Sequence, residues 1–263
     1  MKNTLPTSES DILLVKIEML MAGLFQGKRM TKRALRESSL DILFVALGIR
    51  SCTLIDRISI SQNDLTTLIR QLRSKVGITS LVGIYLADTH MFIGRLQNLR
   101  DRVDKMILEG EKDCWFIDVS SGHEAKLLAH IPSSFLSALS SLAPKLLERS
   151  PELILSPLED STLVSLTGWL LDYPIVYVQE TTNHSLANSQ LTLTRVLLVP
   201  NTRNGEHLLI SFSIPTQIFD SPSFLSLPNF QSWVQSRFIH RMPSHFNWHI
   251  RVQTSQVNTD VVL

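Results

Sequence analysis

Leu191-Thr192-Leu193-Thr194-Arg195-Val196-Leu197-Leu198-Val199-Pro200 and His207-Leu208-Leu209-Ile210-Ser211-Phe212-Ser213-Ile214 flank Asn201-Thr202-Arg203-Asn204-Gly205. In the first run Leu191, Leu193, Arg195, Leu197 and Val199 alternate with Thr192, Thr194, Val196 and Leu198. Two β-rich runs around an Asn-Gly turn predict an antiparallel hairpin, because that dipeptide readily takes the positive φ angles a tight reversal needs. Downstream, a helix is expected over about Pro222–Met242 and a strand over His245–Val252.

Upstream of the hairpin the rhythm changes. Apolar strand-like runs at Cys52–Asp56, Ser80–Leu86, Cys114–Val119 and Ile175–Val178 alternate with helical spacing at Leu65–Leu72, Leu96–Leu108, Phe135–Leu147 and Leu158–Leu171. Asp64 is read as the cap of the first of these helices. Pro174 sharpens the end of the last, since the residue before a proline is pushed out of the helical region. Two further helices open the chain, Ile12–Phe25 behind the capping run Thr7-Ser8-Glu9-Ser10-Asp11, and Thr31–Leu47 before Gly48. Strands alternating with helices argue for βαβ units. The expected fold is therefore α/β, a single domain over 1–263. It would have N-terminal helices, a mixed and mostly parallel sheet in the first part, and an antiparallel hairpin in the second. The alternative is a division near 180–190, where Glu180–Gln190 is polar, into 1–180 and 190–263.

The 263 residues carry 25 Lys and Arg against 24 Asp and Glu, a formal charge of +1, with 44% hydrophobic residues. This is not the polar, self-repelling profile of a disordered chain. Near-neutral charge also gives no whole-chain attraction to nucleic acid or to an anionic membrane. Cys52 and Cys114 cannot form a disulfide scaffold and suit a reducing compartment. The apolar stretch from Ile12 to Phe25 is interrupted by Lys16, Glu18 and Gly23, so it reads neither as a signal peptide nor as a membrane span. The expectation is a cytoplasmic protein. The basic cluster Lys28, Arg29, Lys32, Arg33 and Arg36 offers a nuclear address as the alternative, although the commoner origin of such a cluster is the solvated face of a helix.

Chemistry is nominated by position. Asp56, Asp88 and Asp118 each follow or end a predicted strand, and ligands of open parallel sheets bind outside the carboxyl ends of the strands. Were the three strands adjacent and codirectional, these carboxylates would hold Mg²⁺, with His123 as general acid and base and Ser120, Ser121 and Gly122 as a binding loop. His90 lies just beyond Asp88. The same residue types after strands also make turns and helix caps, whatever the function. No nucleophile elbow, phosphate-cradling glycine loop, dinucleotide fingerprint or common zinc framework is present. His240, His245 and His249 cluster, but His245 and His249 alternate with apolar residues as in any half-buried strand. Arg95, Arg100, Arg102 and Lys105 interleave with Asp101, Asp104 and Glu109, which reads as an ion-paired exposed helix. The terminal Val261-Val262-Leu263 offers a short apolar end to a strand-accepting groove.

Gly168-Trp169-Leu170-Leu171-Asp172-Tyr173-Pro174-Ile175-Val176-Tyr177 resembles Gly-Trp-Leu-Leu-x-Tyr-Pro-Val-x-Tyr of an uncharacterised animal family. That family is typified by a human chromosome-1 open reading frame and known as a domain of unknown function. Leu191–Val196, Leu209–Pro215 and Ile117–Ser120 are similar to other blocks of it, so the resemblance spans most of the chain. Asp172 stands where the family pattern has glycine. The resemblance implies no activity and no catalytic residues. Two readings follow. One is a non-catalytic protein-interaction or scaffold protein with a protein partner and no cofactor. The other is a Mg²⁺-dependent enzyme acting through Asp56, Asp88, Asp118 and His123 on a phosphorylated or nucleotide-like small molecule.

Overall fold

A computed structural model describes residues 9–27, 30–86, 90–108, 113–120, 125–148, 150–155, 159–178, 190–201, 205–244 and 246–258. The chain forms two compact units, residues 1–99 with 145–156 and residues 100–144 with 157–263. Each is taken by itself.

The first unit begins with α1 (Glu9–Leu24) and α2 (Lys32–Ala46). Leu14, Ile17 and Met21 recur at three- and four-residue intervals and bury one face of α1, the stripe that a 3.6-residue period produces. The Thr31 hydroxyl caps α2 by accepting from the Ala34 N–H at 3.0 Å. From Ser38 to Val45 every residue of α2 is buried, so its second half runs through the core. After β1 (Cys52–Leu54), α3 (Gln62–Gln71) opens with a capping box: the Asp64 N–H donates to Ser61 Oγ, and the Ser61 N–H donates back to Asp64 Oδ2. Ser61 is thus the N-cap and Asp64 its reciprocal partner three residues on, which moves the cap of the sequence reading back by three residues, nearly one turn.

The sheet of this unit has the order β1, β3 (His90–Arg95), β2 (Leu81–Leu86), β6 (Glu152–Leu155). β3 pairs antiparallel with both β1 and β2, whereas β2 and β6 are parallel. Phe44, Leu65, Ile84 and Phe92 are wholly buried around it.

In the second unit, α4 (Leu96–Leu108) and α5 (Ser133–Leu147) each contribute the part that follows residue 99 or precedes residue 145. A small sheet orders β5 (Lys126–Leu127), β4 (Trp115–Asp118) and β7 (Ile175–Val178), with β4 parallel to β7 and antiparallel to β5. α6 (Asp160–Leu170) leads into β7. The hairpin stands as expected: β8 (Gln190–Pro200) pairs antiparallel with β9 (His207–Pro215), with a bulge at Val196/Leu197. β10 (Trp248–Asn258) adds to the other side of β8 after α7 (Leu227–Ile239). Thr192, Thr194, Val196 and Leu198 point to the buried face of this sheet.

The α/β class, the N-terminal helices and the mixed first sheet agree with the sequence. Fewer strand pairs are parallel than its rhythm suggested, because β3 is inserted antiparallel between β1 and β2 and because β4 and β7 form a second sheet. Close packing at β3 is set by Gly94, where an added Cβ would lie 2.9 Å from both Cys52 Sγ and Leu99 Cδ1 and 3.0 Å from Ile84 Cδ1. Gly94→Ala is therefore expected to destabilise the protein by about 1–3 kcal/mol through overpacking, read as a lower midpoint in urea denaturation. An unchanged midpoint would mean that these three side chains yield freely.

Candidate functional site

Of the nominated residues, Asp56 is exposed two positions after β1, and Asp118 is the last residue of β4. Asp88, Ser121, Gly122 and His123 lie outside the described residues, as does His245. β1 and β2 run the same way but are separated by β3 in the four-stranded sheet, and β4 belongs to the three-stranded sheet with β5 and β7. The Asp118 carboxylate accepts the Ser120 N–H at 2.8 Å, closing a local Asx turn. His249 Nδ1 lies 2.9 Å from Asn201 Oδ1, and His240 ends α7. Among the described residues, no three His, Cys, Asp or Glu side chains are grouped to hold a metal.

On α1 the face opposite the buried stripe is also apolar. Ile12, Val15 and Met19 are 47%, 50% and 71% exposed, which sets three large hydrophobic side chains at i, i+3 and i+7 on one outer surface.

The densest charge in the second unit is buried, and it gathers residues distant in sequence. In α4, Leu99, Arg102, Val103 and Met106 share the inward face, so Arg102 is not on the exposed ion-paired side where charge alternation alone placed it. Only 6% of its side chain is exposed. Arg102 Nε contacts Asp113 Oδ2 at 2.5 Å, and its guanidinium lies over the Trp169 ring with Cζ 4.1 Å from the centroid. Trp169 Nε1 donates to the other Asp113 oxygen at 3.2 Å. Asp172 Oδ1 lies 2.9 Å from Arg241 Nη1, 3.0 Å from Arg102 Nη1 and 3.7 Å from Arg237 Nη2. The Arg237 Nη1 group also donates to the Asp113 backbone carbonyl.

Asp172 reaches this place through the end of α6. The Tyr173 N–H bonds the Gly168 carbonyl and the Asp172 N–H bonds the Trp169 carbonyl, both at 3.0 Å, the double closure of a Schellman turn. The residue closing such a turn takes the left-handed conformation, and Asp172 has φ 63°. Glycine is ordinary there and a side chain costs roughly 1–2 kcal/mol. Here the side chain is wholly buried, with its carboxylate among three guanidiniums. The Gly-Trp-Leu-Leu-x-Tyr-Pro segment therefore does structural chemistry: Gly168 and Tyr173 close the turn, Trp169 covers Arg102, and the Pro174 carbonyl accepts the Trp115 N–H at 2.9 Å.

Three arginines face two carboxylates. Arg237 lies in the last turn of α7 and Arg241 just beyond it, where the carbonyl end of a helix favours cations. Burial alone would raise the Asp113 carboxyl, but Arg102 and then Arg237 outweigh it and hold the group below the ordinary carboxylate range. Burial lowers Arg237, with Asp113 opposing. Burial, reinforced by the Asp113 charge, pushes the Cys114 thiol well above its ordinary value, so it stays protonated at neutral pH and is not a nucleophile. The cluster neutralises and orders; it offers no activated attacking group.

Because Asp113 is depressed in the folded state, its stabilisation is complete above the unfolded-state value of about 3.9 and is lost as pH falls through the lower folded value. Denaturation at pH 7 and at pH 3 should show a smaller acid loss for Asp113→Asn than for the parent. Equal losses would remove Asp113 as a source of acid sensitivity. Asp172→Ala is expected to cost about 3–5 kcal/mol by leaving buried guanidiniums short of a partner. Asp172→Gly should recover roughly 1–2 kcal/mol of that through relief at positive φ. A glycine variant as stable as the parent would show that the ion pairs contribute net no more than that roughly 1–2 kcal/mol of backbone relief.

No curated protein and no solved structure matches the chain. Residues 21–263 match the family described as Domain of unknown function (DUF4504), a match that starts inside α1 and runs through both compact units. On that match, the chain belongs to the DUF4504 family.

Proposed function

We propose that this is a non-catalytic, cytoplasmic protein-interaction protein that docks the outer face of α1 into an apolar groove of a protein partner. The observation that carries the reading is the exposed stripe Ile12, Val15 and Met19 on a helix whose opposite face is already buried in its own unit. A helix held on one side by Leu14, Ile17 and Met21 presents its second apolar face in a fixed orientation, which lowers the ordering cost of association. Anchors at i, i+3 and i+7 are the pattern by which a groove reads a helix. No described helix is long and apolar enough to cross a membrane.

The Mg²⁺-dependent reading keeps Asp56 and Asp118 among the described residues, the first two positions after β1 and the second at the end of β4 in a different sheet, with one oxygen of Asp118 engaged by its own turn. No specific observation favours it over docking.

The test places a photo-crosslinking residue at Met19 of the full chain in cells, with the same residue at exposed Ser232 as control. The expected result is one discrete adduct from position 19, absent from position 232 and lost when Val15→Glu is added. Val15 is half exposed, so this change should move stability by no more than about 0.5 kcal/mol. No discrete adduct, or one that survives Val15→Glu, would refute docking through this face.

A further inference from the structure

Edge strands expose a row of backbone donors and acceptors, and proteins usually protect them with lysine, proline, a bulge or a covering helix. β10 is such an edge: it pairs with β8 in unbroken register from Trp248↔Pro200 to Asn258↔Gln190. Its two sides are identifiable. The Asn247 carbonyl accepts the Asn201 N–H, which turns the odd-numbered residues toward β8. The Ile250 carbonyl accepts from Gln235 Nε2 of α7, which turns the even-numbered ones outward. α7 thus covers the edge at Ile250. Beyond it, the outward backbone groups of Val252, Thr254 and Gln256 are hydrogen-bonded to no described residue.

The stretch Val252-Gln253-Thr254-Ser255-Gln256-Val257-Asn258 contains no lysine, no proline, no bulge and no charged residue. The nearest charge, Arg251, is paired with Glu206. We propose that this edge is covered by a second copy of the chain, with the two β10 strands pairing antiparallel about a two-fold axis at Ser255 to join two three-stranded sheets into one of six strands.

Three features select a second copy. A two-fold at Ser255 sets Val252 opposite Asn258 and Thr254 opposite Gln256, all of them outward-facing, so both strands are in hydrogen-bonding phase over the whole uncovered length. With two bonds per pair this gives about eight inter-strand hydrogen bonds. A neutral stretch meeting itself places no like charges across the axis, where such a pair would be unfavourable. The span starts beyond Ile250, whose carbonyl Gln235 occupies, and Gln231 of α7 reaches the Thr254 hydroxyl at 2.8 Å without engaging the outward backbone groups, so neither glutamine is displaced by pairing. A closed two-fold contact also consumes the β10 edge of both copies, so this contact does not propagate into an open-ended assembly.

The proposal is tested on the full chain by light scattering after gel filtration at tens of micromolar protein. The parent should have twice the 29.7 kDa mass of one chain. Ser255 is exposed and sits on the axis, so Ser255→Lys should set two ammonium groups face to face and give a monomer with unchanged far-UV dichroism. Ser255→Asp should do the same, and an equal mixture of the two variants should recover the dimer. Ser255→Cys should form a covalent dimer on mild oxidation, because the native Cys52 and Cys114 are buried. A monomeric parent overturns the proposal. So does a dimer that persists in Ser255→Lys, or one that Val15→Glu abolishes and Ser255→Lys spares, since both place the contact elsewhere.

Discussion

The carboxylate of Asp172, wholly buried and ringed by Arg102, Arg237 and Arg241, is the constraint on which much of the second unit depends. A lone buried charge is prohibitively unfavourable, and three guanidiniums without anions would be worse still. The arrangement persists only if α4, the residues around Asp113, the end of α6 and the end of α7 are all in place together. Each partner therefore makes the others tolerable, and the Schellman turn at Asp172 gives the group its fixed geometry. Replacing the ring by apolar residues of like volume could leave stability unharmed, but it would remove the requirement that these four segments meet in one way.

The cluster also bears on function. Its guanidiniums lie under Trp169 or at a helix end, its carboxylates are depressed or enclosed, and its neighbouring thiol is held protonated. Polar residues are here used inside, in the service of architecture. The surfaces follow the opposite logic. On α1 the outer positions are apolar where solvent would favour charge, and on β10 the edge is neutral where isolation would favour lysine. Both departures fall on regular, well-supported elements rather than on loops, which is where a binding surface is presented with least entropic cost.

The two features need not compete. α1 lies in the first unit and β10 in the second, and they use different physics: side-chain burial in a groove on one, main-chain hydrogen bonding on the other. A two-fold pairing through β10 would give each assembly two copies of the α1 surface, and bivalency raises avidity for a repeated or membrane-arrayed partner without any new contact.

By itself the sequence determined whatever depends on neighbours a few residues away. The boundaries of α4 and the β8–β9 hairpin could be read because helix period, β-branched alternation and turn chemistry are local properties. It carried the inward placement of Arg102 as well, three residues after Leu99 and one before Val103, but charge alternation masked that spacing. Tertiary structure alone decided which strands share a sheet. β2, β4, β6 and β7 follow one another in the chain yet pair as β2 with β6 and β4 with β7. Two interleaved sheets thereby produce the same alternation of strand and helix as one parallel sheet. The same holds for Asp172, whose glycine-favouring backbone looks like a mild anomaly in one dimension. Its partners lie 70 residues before it and 65 and 69 after it, and no local pattern encodes a Coulomb interaction between residues that only folding brings together.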